Sequence, residues 1–188
     1  AARFGAPDEM LAGSYVAELE HDMCTIKGTP VPFVPGMRDA EGTSFEVHPF
    51  LEASSFRKIR GRYYFIYSSA QGHELCWART SAPDVPPTFG GVIISNGDVG
   101  LRGHEHEEDA VFYLGNNHGS LVEVNDKAYI FYHRHTHGTQ YSRQDCAEEV
   151  TIDADGTIHQ AEITSQGLNG GPLDPAQEIP AYSCCRLR

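Results

Sequence analysis

Two stretches of this chain, about 65 residues apart, follow one pattern with different chemistry in each copy. The first runs from Leu51-Glu52-Ala53-Ser54-Ser55 through Ile59 to Gly61-Arg62-Tyr63-Tyr64-Phe65-Ile66-Tyr67. The second runs from Asn117-His118-Gly119-Ser120-Leu121 through Val124 to Asp126-Lys127-Ala128-Tyr129-Ile130-Phe131-Tyr132. At one constant offset Ser55 falls on Ser120, Ile59 on Val124, Arg62 on Lys127, Tyr64 on Tyr129 and Tyr67 on Tyr132. Each copy reads as a strand, a tight turn and an aromatic strand. A hairpin that recurs at fixed spacing points to β-propeller blades, in which the first strand of each blade lines a central channel. Residues at the start of that strand face a bound ligand, and here they include Glu52 and His118.

The remaining periodicity fits the same architecture. Ser14-Tyr15-Val16-Ala17-Glu18-Leu19 alternates as a strand does, and the prolines of 29–35 restrict that extended segment to an edge. The pattern predicts an all-β chain with an irregular lead-in over 1–13, a propeller arc over 14–165 and a C-terminal loop over 166–188. Within the arc a partial blade covers 14–35. A full blade over 52–95 has strands near 52–59, 63–69, 73–80 and 89–95. A second full blade over 117–163 has strands near 119–124, 128–135, 140–152 and 158–163, with a hairpin turn at Asp153-Ala154-Asp155-Gly156. That makes about two and a half blades, and a propeller must close on itself to protect its strand edges. Oligomerisation is therefore expected, most simply a homodimer of two arcs.

Composition bounds the partners. A net charge of −12 with no basic stripe argues against nucleic acid. The acidic surface suits a neutral small substrate or a sugar polymer. No apolar run approaches the roughly 18 residues of a membrane span. The N-terminus lacks the apolar core of a signal peptide and the five cysteines are odd in number, so a cytoplasmic location is expected. Cys76 and Cys146 sit in strands as small core residues, and the cysteine spacing fits no zinc motif.

Several linked motifs resemble family 43 of the glycoside hydrolases. Phe50-Leu51-Glu52-Ala53-Ser54-Ser55 followed by Gly61-Arg62-Tyr63-Tyr64 resembles that family's general-acid blade. Gly115-Asn116-Asn117-His118-Gly119-Ser120 resembles its next blade. Tyr132-His133-Arg134-His135, Gln140-Tyr141-Ser142-Arg143-Gln144 and Gly167-Leu168-Asn169-Gly170-Gly171 resemble its final blade. The resemblance implies a five-bladed propeller and an inverting two-carboxylate glycosidase of the β-xylosidase or α-L-arabinofuranosidase type. It puts Glu52 at the general-acid position, His118 at a channel histidine beside a central Ca2+ or its waters, and Arg143 where an arginine reaches a sugar hydroxyl. The family's base aspartate and its second aspartate match no motif in this sequence. A non-catalytic, sugar-binding arc is the competing expectation, and a partner copy is one way to complete the site.

The residues themselves carry part of this reading. Glu52 is a lone carboxylate opening an otherwise apolar strand, where burial would favour the protonated form a general acid needs. Gly119 leaves room for a ligand to approach His118, as a sugar contact or a metal ligand. His48, two residues before Phe50, is a further candidate for lining the sugar pocket. His133, His135 and His137 alternate and share one strand face, which permits a metal but more often marks a polar strand end. His104-Glu105-His106-Glu107-Glu108-Asp109 reads as a solvated loop.

Overall fold

The computed structural model describes residues 11–164 together with Leu168, Asp174 and residues 176–178. The expectations for the start of the lead-in, for most of 166–188 and for the vicinal Cys184-Cys185 fall outside the described residues. Among those described, nine strands form three antiparallel sheets in which sequence neighbours pair. The first sheet is the hairpin β1 (Tyr15–Leu19) and β2 (Ile26–Pro32). The second is a four-strand meander of β3 (Phe50–Ile59), β4 (Arg62–Ser69), β5 (Glu74–Thr80) and β6 (Thr88–Ser95). The third holds β7 (Gly119–Val124), β8 (Lys127–His135) and β9 (Arg143–Val150). Among the described residues, helix is confined to short 3₁₀ turns such as Glu107–Asp109.

The second sheet is buried on both faces, which explains why β4 and β5 read as apolar runs rather than as alternating strands. Tyr64, Ile66, Leu75 and Trp77 point to one side and pack with Leu121, Ile130, Val150 and Ile158. Phe65, Tyr67, Cys76 and Ala78 point to the other and pack under Phe33, Val34, Ala40 and Phe45. The connection between β2 and β3 thus covers one face, while the third sheet covers the opposite one. The β1–β2 hairpin leaves Tyr15, Leu19, Ile26 and Val31 exposed.

One expected element differs. The third sheet has three strands, and residues 158–163 do not form a fourth. Only a single bridge, Ile152 to Ile158, continues the ladder. The segment then crosses to the second sheet, where the Ala161 amide donates to the Ile93 carbonyl at 2.9 Å and the Ile163 amide donates to Asp98 Oδ1 at 2.8 Å. Its backbone donors are satisfied by neighbours other than β9, so no continuous ladder forms. The Asp153–Gly156 turn does form, closed by the Gly156 amide donating to the Asp153 carbonyl at 2.9 Å with Gly156 at φ 91. It docks on the second sheet: Tyr64 Oη donates to the Gly156 carbonyl, and Arg79 to that of Asp155.

The Gly90-Gly91 pair of β6 lies flat under the Trp77 indole, and a Cβ at Gly90 would enter the ring. Gly90→Ala should therefore lower stability by about 1–3 kcal/mol through displacement of Trp77. Urea unfolding followed by the fluorescence of the single tryptophan reads this directly; an unchanged midpoint would show that the close approach is not required.

Candidate active site

The two copies of the repeat meet along their first strands. Ser55 Oγ of β3 and Ser120 Oγ of β7, the equivalent positions noted in the sequence, lie 2.8 Å apart in a hydrogen bond. Toward the start of the same strands, Glu52 Oε1 lies 3.0 Å from His118 Nε2. Ser68 fixes this juxtaposition. It stands opposite Glu52 in the β3–β4 ladder, and its hydroxyl donates to the carbonyl of Asn117, the residue before His118.

The backbone is irregular where the carboxylate sits. The β3–β4 register shifts between Phe50 and Glu52 and again between Glu52 and Ser55. Ala53 adopts φ 53, in the left-handed region that a residue with a Cβ enters at a cost. Paired bulges of this kind re-aim a side chain and recur next to functional groups. The carboxylate is less enclosed than its apolar flanks imply: the Glu52 side chain is 41 % exposed and that of His118 37 %. The partner Glu52 finds within this chain is the polar imidazole.

Behind His118 stands a second layer of imidazoles. The His133 ring meets that of His118 edge to face, with centroids 5.3 Å apart. Asn116 Oδ1 accepts from His135 Nε2 at 2.8 Å and, more distantly, from His133 Nε2 at 3.4 Å. The expected shared face of His133 and His135 is thus real, but their nitrogens converge on an amide oxygen. His137 lies beyond the end of β8. Burial holds the His133 pKa down to about 4, helped by the nearby positive charges of His118, Arg143 and His135. Burial likewise lowers that of His135. Arg143 stands opposite His135 in the β8–β9 register and is exposed, with its charge near enough to act on His133 and His135.

His48 does not join this cluster. Its Nδ1 lies 2.5 Å from Glu74 Oε1, and its ring stacks on Phe89 with centroids 4.9 Å apart. His48 and Glu74 line an open groove of about 660 Å³ rimmed by the acidic loop of Glu105 to Glu108. Glu74 is a functional candidate absent from the sequence reading. A carboxylate within the apolar run of β5 was visible there; its partner from a distant loop was not. Glu148 was missed too. It is buried beside Tyr132 and accepts from the Thr164 amide at 2.8 Å, and burial raises its pKa.

The histidine layer generates a pH dependence. With His133 at about 4 in the folded chain against an ordinary value of 6.5, the unfolded chain takes up the proton first as pH falls. The contribution of neutral His133 is complete above pH 6.5 and is lost progressively down to about 4. Urea midpoints measured across that window should fall more steeply for the parent than for His133→Asn. Parallel profiles would place the titration elsewhere.

Comparison with known proteins gives this geometry a family. The model of the family described as glycosyl hydrolases family 43 matches residues 5–158. A xylosidase/arabinosidase of Thermoclostridium stercorarium is 46 % identical over 180 residues, covering 96 % of this chain and 38 % of that protein. A xylosidase/arabinosidase of Bacteroides ovatus is 31 % identical over 166 residues, covering 85 % of this chain and 45 % of that one. Among solved structures, the β-xylosidase RS223 superposes with a TM-score of 0.60 at 26 % identity, over 80 % of this chain and 43 % of its own. The β-xylosidase/α-arabinofuranosidase CoXyl43 from a compost metagenome, solved with xylotriose in a calcium-free form, gives 0.59 at 26 % identity over 82 % and 44 %. The chain thus spans less than half the length of each of these relatives. Its match to the family model over most of its residues shows that it belongs to glycosyl hydrolase family 43.

Proposed function

We propose that this chain carries the general-acid part of an exo-acting glycosidase, an α-L-arabinofuranosidase, a β-xylosidase or both, acting on plant-wall oligosaccharides. The observation that carries the reading is the Glu52–His118 pair, held at 3.0 Å where the first strands of two repeated hairpins meet. The names of the relatives support arabinose- or xylose-containing substrates. In this reading the second and third sheets are blades of a five-bladed propeller and the β1–β2 hairpin is the outer part of another.

Glu52 delivers its proton to the glycosidic oxygen as the bond to the leaving group breaks. His118 orients that carboxyl, and Ser68 holds His118 in place. Arg143 donates to a hydroxyl of the sugar, and His118 forms a further contact. His48 contributes only through the groove it lines, since Glu74 holds its imidazole. The inverting scheme needs a second carboxylate on the opposite face of the sugar, roughly 6.5–9.5 Å from the first, to activate water. No motif here supplies it. It comes either from a second copy of this chain or from further sequence of a longer polypeptide, and the exposed apolar residues of β1 and β2 suit either cover. For a Ca2+ in the channel, His118 would be one contact among waters supplying most of the oxygen positions. The ion takes six to eight oxygen ligands, and the His118 cluster offers one carboxylate among imidazoles, so no step is assigned to a cation.

The second reading, a sugar-binding arc without turnover, is favoured by the missing base and by the 38 % coverage of the Thermoclostridium protein. Kinetics separate the two. Glu52→Gln should reduce turnover of natural oligosaccharides by about 10²–10⁴-fold while sparing nitrophenyl glycosides, whose leaving groups need little protonation. Equal loss on both substrate types would remove Glu52 from the acid role. No turnover by the parent chain, with retained binding of oligosaccharide, would support the binding reading. Light scattering on the same sample tests self-assembly, for which a dimer is expected; an active monomer would reject completion by a second copy.

A further inference from the structure

Away from the Glu52–His118 cluster, three side chains of different chemistry meet around one oxygen atom. Glu74 and Cys76 are two positions apart on β5 and so share the face turned toward the 33–49 segment. His48 arrives from that segment, and its Nδ1, Glu74 Oε1 and Cys76 Sγ all lie within 4.8 Å of one another. We propose that His48, Glu74 and Cys76 form a binding site for a thiophilic divalent cation of the Zn2+ type, with the groove lined by His48 and Glu74 as its entry path and the source of a fourth ligand, water, and the buried Cys76 thiol behind them.

The spacing agrees with such an ion. Bonds of about 2.0–2.3 Å in a tetrahedral shell put ligand atoms roughly 3.3–3.8 Å apart. Cys76 Sγ and Glu74 Oε1 are already 3.4 Å apart. His48 Nδ1, at 2.5 Å from Glu74, must retreat by about 1 Å to meet that geometry. It has the freedom to do so, since its side chain is 23 % exposed on a loop, whereas Glu74 at 5 % is fixed in the sheet. Supporting contacts are in place. Ser69 Oγ donates to Glu74 Oε1, and Tyr67 Oη donates to the His48 carbonyl at 2.7 Å, which anchors the loop. Hydrogen bonds of this type orient ligands in metal sites.

The donor set selects the ion. One thiolate, one imidazole and one carboxylate suit Zn2+ and exclude Ca2+, which takes oxygen. A doubly charged cation would balance the Glu74 carboxylate and the Cys76 thiolate in a buried place. Binding releases the thiol proton to solvent and moves the remaining His48 proton to Nε2. Without metal, the same three groups are satisfied by the hydrogen bonds described, so the site requires no ion to fold. This inference is independent of the proposed glycosidase activity.

Co2+ titration of the full chain tests it, in a background where Cys24, Cys184 and Cys185 are serine to remove competing thiols. One equivalent should bind with sulfur-to-cobalt charge-transfer absorption in the near ultraviolet, displaced by Zn2+. Cys76→Ser should abolish that absorption. His48→Gln, which keeps the buried thiol and the sheet intact, should weaken binding by about tenfold or more. No charge-transfer band at millimolar Co2+, or a band that survives Cys76→Ser or binds equally well in His48→Gln, would overturn the proposal.

Discussion

The seam between β3 and β7 determines where chemistry can occur in this chain. Two first strands, equivalent in the sequence repeat, approach closely enough for Ser55 and Ser120 to share a hydrogen bond at 2.8 Å. Both side chains are small, so the strands can come together; larger residues at either position would part them. Once the seam is closed, residues a few positions nearer the strand starts are forced into company. Glu52 and His118 then meet at 3.0 Å, and the Ser68 hydroxyl ties the third sheet to the second beside them. The bulges around Glu52 follow from the same constraint. A regular β3 would keep strict alternation, whereas two register shifts and a left-handed Ala53 turn the carboxylate to its partner.

The seam is rigid because the second sheet behind it is a wall packed on both faces. Tyr64, Ile66, Tyr67, Leu75 and Cys76 are completely buried. Their alternation sends neighbours in sequence into two different cores, one shared with the third sheet and one with the 33–49 segment. The same parity produces both polar clusters. The seam positions Glu52 against His118. The opposite face of β5 turns Glu74 and Cys76 toward His48. The two buried carboxylates in and beside this wall persist because each has partners: Glu74 takes hydrogen bonds from His48 and Ser69, and Glu148 from Tyr132 and Thr164.

Much of this was legible in the residues, and what was not has a physical reason. The repeat predicted eight strands of the second and third sheets, and seven stand within a few residues of their expected places. The eighth, over 158–163, failed because alternation describes which face a segment buries, not which strand accepts its hydrogen bonds. Here the Ala161 amide found Ile93 across the gap. The Ser55–Ser120 proximity was implicit in the offset, since equivalent positions on adjacent repeats face each other; Glu52 and His118 stand one position off that offset, and the register shifts around Glu52 that bring them together were not readable from the pattern. Histidine parity was also visible, and His133 and His135 do share a face. That both meet Asn116 depended on a turn conformation no pattern encodes. The His48–Glu74 contact joins residues 26 apart through an irregular segment, and period-two reasoning stops where the strand does.

The exposure of Glu52 bears on how such a site would work. A general acid must hold its proton at the working pH. Two influences keep a proton on a carboxyl: removal from water and a neighbouring negative charge. Within this chain Glu52 has an imidazole beside it and an open side, at 41 % exposure. In the proposed glycosidase a second carboxylate across the sugar would provide the negative charge, and the walls carrying it would remove the water. The base that an inverting scheme requires and the enclosure that an acid requires would therefore come from the same surface. In the proposed reading, sugar contacts through Arg143 and His118 would use residues of this chain alone. On that reading, sugar contacts rest on the seam itself, whereas the two-carboxylate scheme needs the surface that would complete it.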